Sequence, residues 1–473
     1  MKKVKIALVN PYLGNILLST VPDFLETNRG HFPPLGLLYL YSAIKRSGHE
    51  PFFFDADLEG WTHQETARHI LKENPHIVGL TATTFTIFDA WALAKEIKKI
   101  SPLTKVLIGG PHATIYPKET VMLDGVDFAI EGEGEKVIVD LLNNLFNNNG
   151  IVSIPGITQN IGGKINHMES EGLLSSLDDL TFPARYASDY KRYSSILAKR
   201  NPITVMMTSR GCPFNCVFCN RMGRKYRYHS AEYVLSEISE IVNLGIKEIF
   251  IHDDTFTLNK KRVVDICKGI IEKGWDITWE ARTRVDCVDY EMMTLMKQAG
   301  CHRLSFGVES GSSRVLKSIR KEIDLERVKE VFNICRKLKI ISLADFMVGN
   351  LNETYDDIKK TFRLVKEIKP DYVQYSVCSP YPNTPLYELG LRTGVIKEDI
   401  WLQYAKEPVR DFKAPVWTQN FTETELFDIV KKAYKQFYLS SDFIFKQIKR
   451  IKSLKQLKMQ AKAAFGMFFQ NKC

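Results

Sequence analysis

No cysteine precedes Cys212, no repeat of fixed period or low-complexity block is present, and long apolar runs are missing throughout the 473 residues. The last absence excludes a membrane-spanning helix, which needs ~20 uninterrupted apolar residues. Met1-Lys2-Lys3 followed by the apolar Val4–Val9 outlines a secretory leader, but Asn10, Pro11 and Tyr12 end the run too early and no small-residue cleavage site follows. A buried first strand is the better reading, and the cytoplasm the expected location. A broad surplus of one charge is missing too. The net charge is +10, yet Ser441 to Cys473 alone carry eight Lys or Arg against one acid. The body is therefore close to neutral, and no nucleic-acid-binding face is expected on it. What remains, 44% hydrophobic and 25% charged residues, is the composition of an ordinary globular protein of two or three domains.

Apolar runs and helical patterns alternate over residues 1–145. Val4–Asn10, Glu50–Asp55, Ile77–Thr83, Lys105–Gly110 and Asp127–Ile130 read as strands. Gly36–Ser47, Trp61–Glu73, Phe88–Ile100 and Glu135–Asn147 read as the helices between them. Continuous apolar strands in such a series predict a parallel sheet covered on both faces, a flavodoxin-like doubly wound domain with ligands at the strands' carboxyl ends. Residues 146–200 are polar and turn-rich, with Pro155-Gly156 and Gly162-Gly163, and read as a linker with a small hairpin. A second series occupies residues 201–410. Its strands are expected at Ile203–Thr208, Glu248–Asp253, Ile277–Arg282, Arg303–Val308, Ile341–Met347 and Tyr372–Cys378. Six strand–helix units predict a partial barrel whose chemistry sits at the strands' C-terminal ends. Residues 411–473 read as a helical region.

Nine cysteines are present, and three of them fall within eight residues: Cys212, Cys216 and Cys219. One tight cluster and an odd total favour metal binding over a disulfide framework. The spacing C-x3-C-x2-C on a loop directly after the first barrel strand can hold three irons of a cubane cluster and leave the fourth open. Gly211 and Pro213 suit a loop that must curl tightly. A zinc site would want a fourth ligand, and three incidental core thiols would need no such loop.

At these residues the sequence resembles the radical S-adenosylmethionine superfamily, over roughly Pro202 to Gly390. The resemblance implies that the amino and carboxylate groups of S-adenosylmethionine chelate the open iron of a 4Fe–4S cluster on Cys212, Cys216 and Cys219. An electron from the cluster then breaks a sulfur–carbon bond, giving methionine and a 5′-deoxyadenosyl radical. It further implies that Phe218 packs beside the adenine and that Asp253 and Asp254 lie near the methionine amino group. Arg284 would pair with the methionine carboxylate. Glu309-Ser310-Gly311 matches the ribose-contacting segment, and Met347-Val348-Gly349 with Glu353 the adenine-contacting one. Two departures stand out: Asn350-Leu351-Asn352-Glu353-Thr354 replaces a Leu-Pro-Gly-Glu-Thr-like stretch, and Asn383 replaces glycine in Pro380-Tyr381-Pro382-Asn383-Thr384. Each matching residue also has a plainer reading, as a solvated turn, a salt bridge or a helix cap.

The strand-end loops of the first domain are Thr81-Ala82-Thr83-Thr84, Gly109-Gly110-Pro111-His112-Ala113-Thr114 and Glu131-Gly132-Glu133-Gly134-Glu135. Glycines there let the backbone approach a large flat ligand. Ahead of a radical domain, these loops resemble the cobalamin-binding domain of cobalamin-dependent radical S-adenosylmethionine enzymes. That resemblance implies cobalamin contacts at Thr83, Gly109, Gly110, His112 and Glu133. The Asp-x-His-x-x-Gly sequence of many cobalamin domains is absent, and Asp55-Ala56-Asp57-Leu58-Glu59-Gly60 follows the second strand without the His. His112 is more readily a hydrogen-bonding residue than a cobalt ligand.

The tail carries Ile444, Ile448, Ile451, Leu454, Leu457, Ala461, Phe465 and Phe468 at steps of three or four, with lysines between them. A basic amphipathic helix of this kind either packs its apolar face on the barrel or lies on an anionic membrane, here the inner face. The functional expectation is a cobalamin-dependent radical enzyme that methylates an unactivated carbon of a small-molecule or lipid substrate, drawing electrons from a flavodoxin or ferredoxin. A radical cyclase of the anaerobic porphyrin-ester type is the alternative, and a non-catalytic redox or cobalamin-responsive module the alternative from another class. Methylthiotransferases carry three further N-terminal cysteines and are excluded. General acid or base residues cannot be named.

Overall fold

A computed structural model describes residues 3–14, 30–145, 153–195, 197–220 and 225–450, divided between two compact units. The first comprises the N-terminal strand, His31–Tyr193 and Asp399–Ala414. The second comprises Ser194–Glu398 and the chain from Pro415 onward.

The first unit is a seven-stranded sheet. Its strands are β1 (Lys5–Asn10), β2 (Glu50–Asp55), β3 (Ile77–Thr81), β4 (Lys105–Gly109), β5 (Phe128–Ile130), β6 (Ile157–Ile161) and β7 (Lys164–His167), in the order β2-β1-β3-β4-β5-β6-β7. The first five are parallel in the 2-1-3-4-5 order of a flavodoxin-like sheet. Their continuous apolar runs are buried because helices cover both faces. Ile6, Leu8, Ile77, Leu107 and Phe128 pack with Leu37 and Ile44 of helix Leu35–Arg46 and with Ile138 and Leu141 of helix Gly134–Asn144. The hairpin read into the linker is β6 and β7, which extend this sheet antiparallel at its β5 edge. Two short helices, Pro111–Ile115 and Pro117–Met122, follow β4 and escaped the sequence reading, although each begins with the proline that suits a first helical turn.

Asp399–Ala414 also packs here, more than 200 residues beyond the rest of the unit. Trp401 on helix Ile400–Lys406 is fully buried. It meets Phe85 edge-on at 5.9 Å and Phe412 at 5.1 Å. The segment thereby holds the loop after β3 from outside.

The second unit is an open six-stranded parallel sheet. Its strands are β8 (Ile203–Met206), β11 (Glu248–Ile251), β12 (Thr278–Thr283), β13 (Cys301–Glu309), β14 (Ile341–Val348) and β15 (Tyr372–Val377), each paired with its neighbour in the series. A two-residue antiparallel ladder, β9 (Ser209–Arg210) with β10 (Arg227–Tyr228), stands apart. Helices Ala231–Asn243, Lys260–Glu272, Tyr290–Gln298, Leu325–Leu338 and Tyr355–Ile368 connect successive strands. Met206, Ile249, Ile251, Phe256 and Trp279 are buried on the helix-covered face.

The outer edge of β15 is closed by helix Glu423–Tyr438. Tyr434 Oη accepts from Tyr375 N and donates to Tyr375 O, both at 3.0 Å. Tyr438 Oη does the same at Val373, 3.3 Å from N and 2.7 Å from O. Four helical residues rise ~6 Å. Two strand residues rise nearly as far, ~6.6 Å, so the two hydroxyls meet alternate edge residues in step. Among the described residues no helix is long and apolar enough to cross a membrane. Most of the basic tail, from residue 451, lies outside the described residues.

Candidate active site

The cysteine loop leaves β8 and is fastened at its root. Asp253, just past β11, is buried with both carboxylate oxygens occupied. It accepts from Thr208 N and Oγ1, both at 2.6 Å, and from Ser209 N and Oγ at 3.0 and 2.6 Å. Arg262 completes the knot, donating to Thr208 O at 3.0 Å and lying 3.6 Å from Asp253. The β9–β10 ladder then closes the loop's neck, and His229 N adds a bond to Thr208 O at 2.9 Å.

Beyond the neck, Gly211 takes φ +82°, a left-handed conformation that glycine adopts without strain. Val217 N donates to Ile319 O at 3.1 Å, Leu386 N to Val217 O at 3.0 Å, and Asn220 Nδ2 to Pro382 O at 2.8 Å. The loop is thus tied to three other segments of its unit. Cys216 is buried, Cys212 and Cys219 are half-buried, and none of the three is in a disulfide. They share the loop without closing into a three-ligand group among the described residues. Burial pushes the Cys216 thiol pKa up, and the nearby Lys321 and Arg284 charges oppose that shift. Cys212 Sγ lies 4.0 Å from Thr255 Oγ1.

The other predicted residues divide into two groups. In the first, the fold already uses the polar atoms. Asp253 holds the loop root. Arg284 forks onto Asp286 (2.9 and 2.8 Å), donates to Lys321 O at 2.9 Å and stacks 3.6 Å over Phe214 of the cysteine loop. Ser310 is buried against Thr361 at 3.3 Å. Glu133 accepts from Leu174 N at 2.8 Å. His112 is wholly buried, with Nδ1 3.4 Å from Thr84 Oγ1 and Nε2 unpartnered, and burial holds its pKa down at about 3. Burial thus favours the neutral imidazole.

In the second group the residues face outward. Asp254 and Thr83 are exposed, and Phe218, Gly109, Gly110 and Glu309 half-buried. Glu309 ends β13 at a register break with φ +68°, unusual for a residue other than glycine, and pairs with Lys321 at 3.0 Å. Gly110 has φ +101°, and a Cβ there would meet Ala82 O at 2.8 Å. Gly109 leaves space beside its backbone, where a Cβ would find only Ile130, at 3.9 Å, while its carbonyl accepts from Ala82 N at 2.9 Å.

The two departures after the fifth and sixth strands resolve simply. Asn352 has φ +60° and Asn383 φ +59°, so each adopts the left-handed backbone that the resembling glycine would adopt. Asparagine is among the residues that tolerate this best. Gly349, at φ +77°, and Asn350 donate their N–H groups to Glu353 Oε2 at 2.7 and 3.0 Å. Glu353 is fully buried, and desolvation raises its pKa to about 7 against those bonds. Sequence reasoning missed Phe214 within the cysteine loop, and Lys321 and Asp286, which hold Arg284 against it.

Comparison with known proteins agrees in both units. Residues 206–365 match the Radical SAM superfamily and residues 23–142 the B12 binding domain. An uncharacterized methyltransferase of Pyrococcus horikoshii is 35% identical over 454 residues, 95% of each chain. The chain belongs to the cobalamin-binding radical S-adenosylmethionine enzymes. The enzyme is also 29% identical to the anaerobic magnesium-protoporphyrin IX monomethyl ester cyclase of Cereibacter sphaeroides, over 87% of this chain and 68% of that one. Its fold is that of the cobalamin-dependent radical enzyme OxsB, solved with aqua-cobalamin and S-adenosylmethionine, at a TM-score of 0.74 and 18% identity over 99% of this chain and 72% of that chain.

Membership brings a 4Fe–4S cluster, S-adenosylmethionine and cobalamin. The donor set fits the first of these: three cysteines outside any disulfide on one pinned loop, with two cationic side chains beside the buried one. The open space beside Gly109, next to the tight Gly110 turn, fits a large flat ligand at the end of β4.

Proposed function

We propose that the enzyme transfers a methyl group to an unactivated carbon of an apolar small molecule or lipid. The observation that carries this reading is the end-to-end likeness to a methyltransferase, at 35% identity over 95% of both chains. When bound, the cluster and S-adenosylmethionine supply the radical, and cobalamin the methyl donor.

The chain's own residues bind and orient. Cys212, Cys216 and Cys219 would hold the cluster, and Asp253 with Arg262 keeps the loop root fixed. Arg284, locked by Asp286, supports the loop through Phe214. Phe218, Asp254, Glu309 with Ser310, and the Gly349–Glu353 turn receive S-adenosylmethionine. Thr83, Gly109 and Gly110 receive cobalamin, while Glu133 and the buried His112 brace the loops beside it. Lys321 keeps Glu309 in place. Electrons come from a flavodoxin or ferredoxin. Residues 441–473 make a peripheral contact with an anionic membrane surface; Ile444 and Phe445 are exposed near the start of helix Ser441–Arg450.

The test is anaerobic turnover with S-adenosylmethionine labelled in its methyl group, with cobalamin, reductant and a lipid extract as substrate pool. Label in a product is expected. The 29% identity to a cyclase supports a second reading, ring closure, for which 5′-deoxyadenosine would form without label transfer. No 5′-deoxyadenosine under any condition would sink both.

A further inference from the structure

The helix-free face of the barrel sheet holds a set of side chains to which no role has been given. Alternate residues of its strands share that face. Pairing places Arg282 of β12 beside Ser305 of β13 and that beside Leu343 of β14. One pleat further on, Gly307, Asp345 and Gln374 of β13, β14 and β15 stand side by side. All six are partly or fully exposed, while the residues between them, such as Ala281, Phe306, Ala344 and Val373, are buried against the helices.

Arg282 is the anomaly. The neighbouring strand arginine Arg303 is ion-paired to Glu280, and Arg284 is forked onto Asp286. Arg282 is exposed and has neither an ion-pair nor a hydrogen-bond partner among the described residues. Gln374 is likewise exposed without a partner. A planar fork of donors without a partner among the described residues, on the helix-free face of a sheet, matches the geometry of a carboxylate or phosphate. The other ionisable groups facing it do not cancel it. His252 is kept neutral, its pKa pushed down to about 4 by burial and by Arg282 itself. Asp345 lies close enough to feel the Arg282 charge but makes no ion pair with it; burial and Glu309 raise its pKa to about 7, against the opposing pull of Arg282 and Lys321. Glu309 is already matched by Lys321. Gly307 makes room for the Glu309–Lys321 pair, since a Cβ there would meet Glu309 Oε1 at 2.6 Å and Lys321 Nζ at 2.9 Å.

We propose that this face recognises the substrate and that Arg282 anchors its oxyanion, a carboxylate or a phosphate, on a molecule whose body is otherwise apolar. This rests on the reading of the chain as an enzyme acting on a small molecule or lipid. Gln374 and Ser305 flank the anion as further hydrogen-bonding groups, and Leu343 lines the way for the apolar part.

The test uses the full-length, anaerobically reconstituted enzyme and two fluorescent probes. One is 1-anilinonaphthalene-8-sulfonate, the other its uncharged counterpart N-phenyl-1-naphthylamine. Arg282→Gln is expected to weaken sulfonate binding about tenfold or more, the loss of one charge-assisted fork, and to leave the neutral probe within about twofold. Arg282→Lys, which keeps the charge, should lose less. Octanoate and octyl phosphate in separate titrations distinguish the two anion classes, and octanamide should displace neither probe. Equal sulfonate binding in the wild type and Arg282→Gln would overturn the proposal. So would parallel losses for both probes, or displacement of the sulfonate by S-adenosylmethionine, which would assign Arg282 to the cofactor. Formation of 5′-deoxyadenosine by the unaltered enzyme is scored separately. Its absence would remove the radical reading without touching the anion result.

Discussion

The two parallel sheets of this chain end in rims made of different material. In the first unit the rim at β4 and β5 is largely backbone: a Cβ at Gly109 would meet only Ile130, Gly110 and Gly132 turn with positive φ, and the His112 imidazole is buried. Side chains bind one another further along, where Asn10 and Tyr193 share Asp55. In the second unit the rim is crowded with side chains bound to one another, as in the Asp253–Arg262 knot, the Arg284–Asp286 fork and the Glu309–Lys321 pair. A flat, preformed ligand asks mainly for space and a backbone that can approach it. A cluster and a polar cofactor ask for ligands at fixed positions, which only side chains held by others can supply.

That contrast can be broken one side at a time. The largest effect is expected from Cys216→Ala, which should abolish cluster assembly: iron content and the broad absorbance near 400 nm should fall to background, while cobalamin binding by the first unit persists. Loss of both would show that the two rims are not independent. Asp253→Ala should follow, costing about 3–5 kcal/mol because it strips four hydrogen bonds from the loop root and leaves Arg262 buried without its counter-charge; chemical denaturation of the barrel would measure it. Gly110→Val should strain the first unit by about 1–3 kcal/mol, since valine resists positive φ and its Cβ would press on Ala82 O. Hydroxocobalamin should then fail to co-elute on gel filtration while iron content is unchanged.

The smallest effect concerns Glu353. Its folded pKa, about 7, lies above the ~4.3 of an unfolded chain. The folded state therefore holds a proton that the unfolded state releases, and stability falls as pH rises from about 4.3 to 7. Glu353→Gln should flatten this slope in a melting-temperature series from pH 4.5 to 7.5. An unchanged slope would mean that Glu353 is ionised in the fold.

Much of this was legible in the residues. Strand positions followed from apolar runs, and both sheet classes from their alternation with helices. The cysteine spacing pointed to the cluster loop, and Asn352 and Asn383 stand where a left-handed backbone is needed. What escaped was long-range or mutual. Nothing local in Trp401 says that it will pack on Phe85, because the contact joins segments more than 300 residues apart. Asp253 and Arg284 could be placed at strand ends, but whether their charges face a cofactor or a neighbour depends on Ser209 and Asp286 in three dimensions. The period of two in Thr278–Thr283 does put Arg282 opposite Trp279 and Ala281, yet only the register with β13 and β14 shows which side chains share its face.

The tyrosine pair on helix Glu423–Tyr438 sets a limit on how the chain can be shortened. Val373 and Tyr375 would otherwise offer another chain a row of open backbone groups at which to add a strand. A truncation near residue 440, made to ask whether the basic tail reaches a membrane, keeps Tyr434 and Tyr438 and so keeps the edge sealed. A cut near residue 420 removes both, and the sticky edge it exposes would send the protein into a sedimentation pellet with no lipid present.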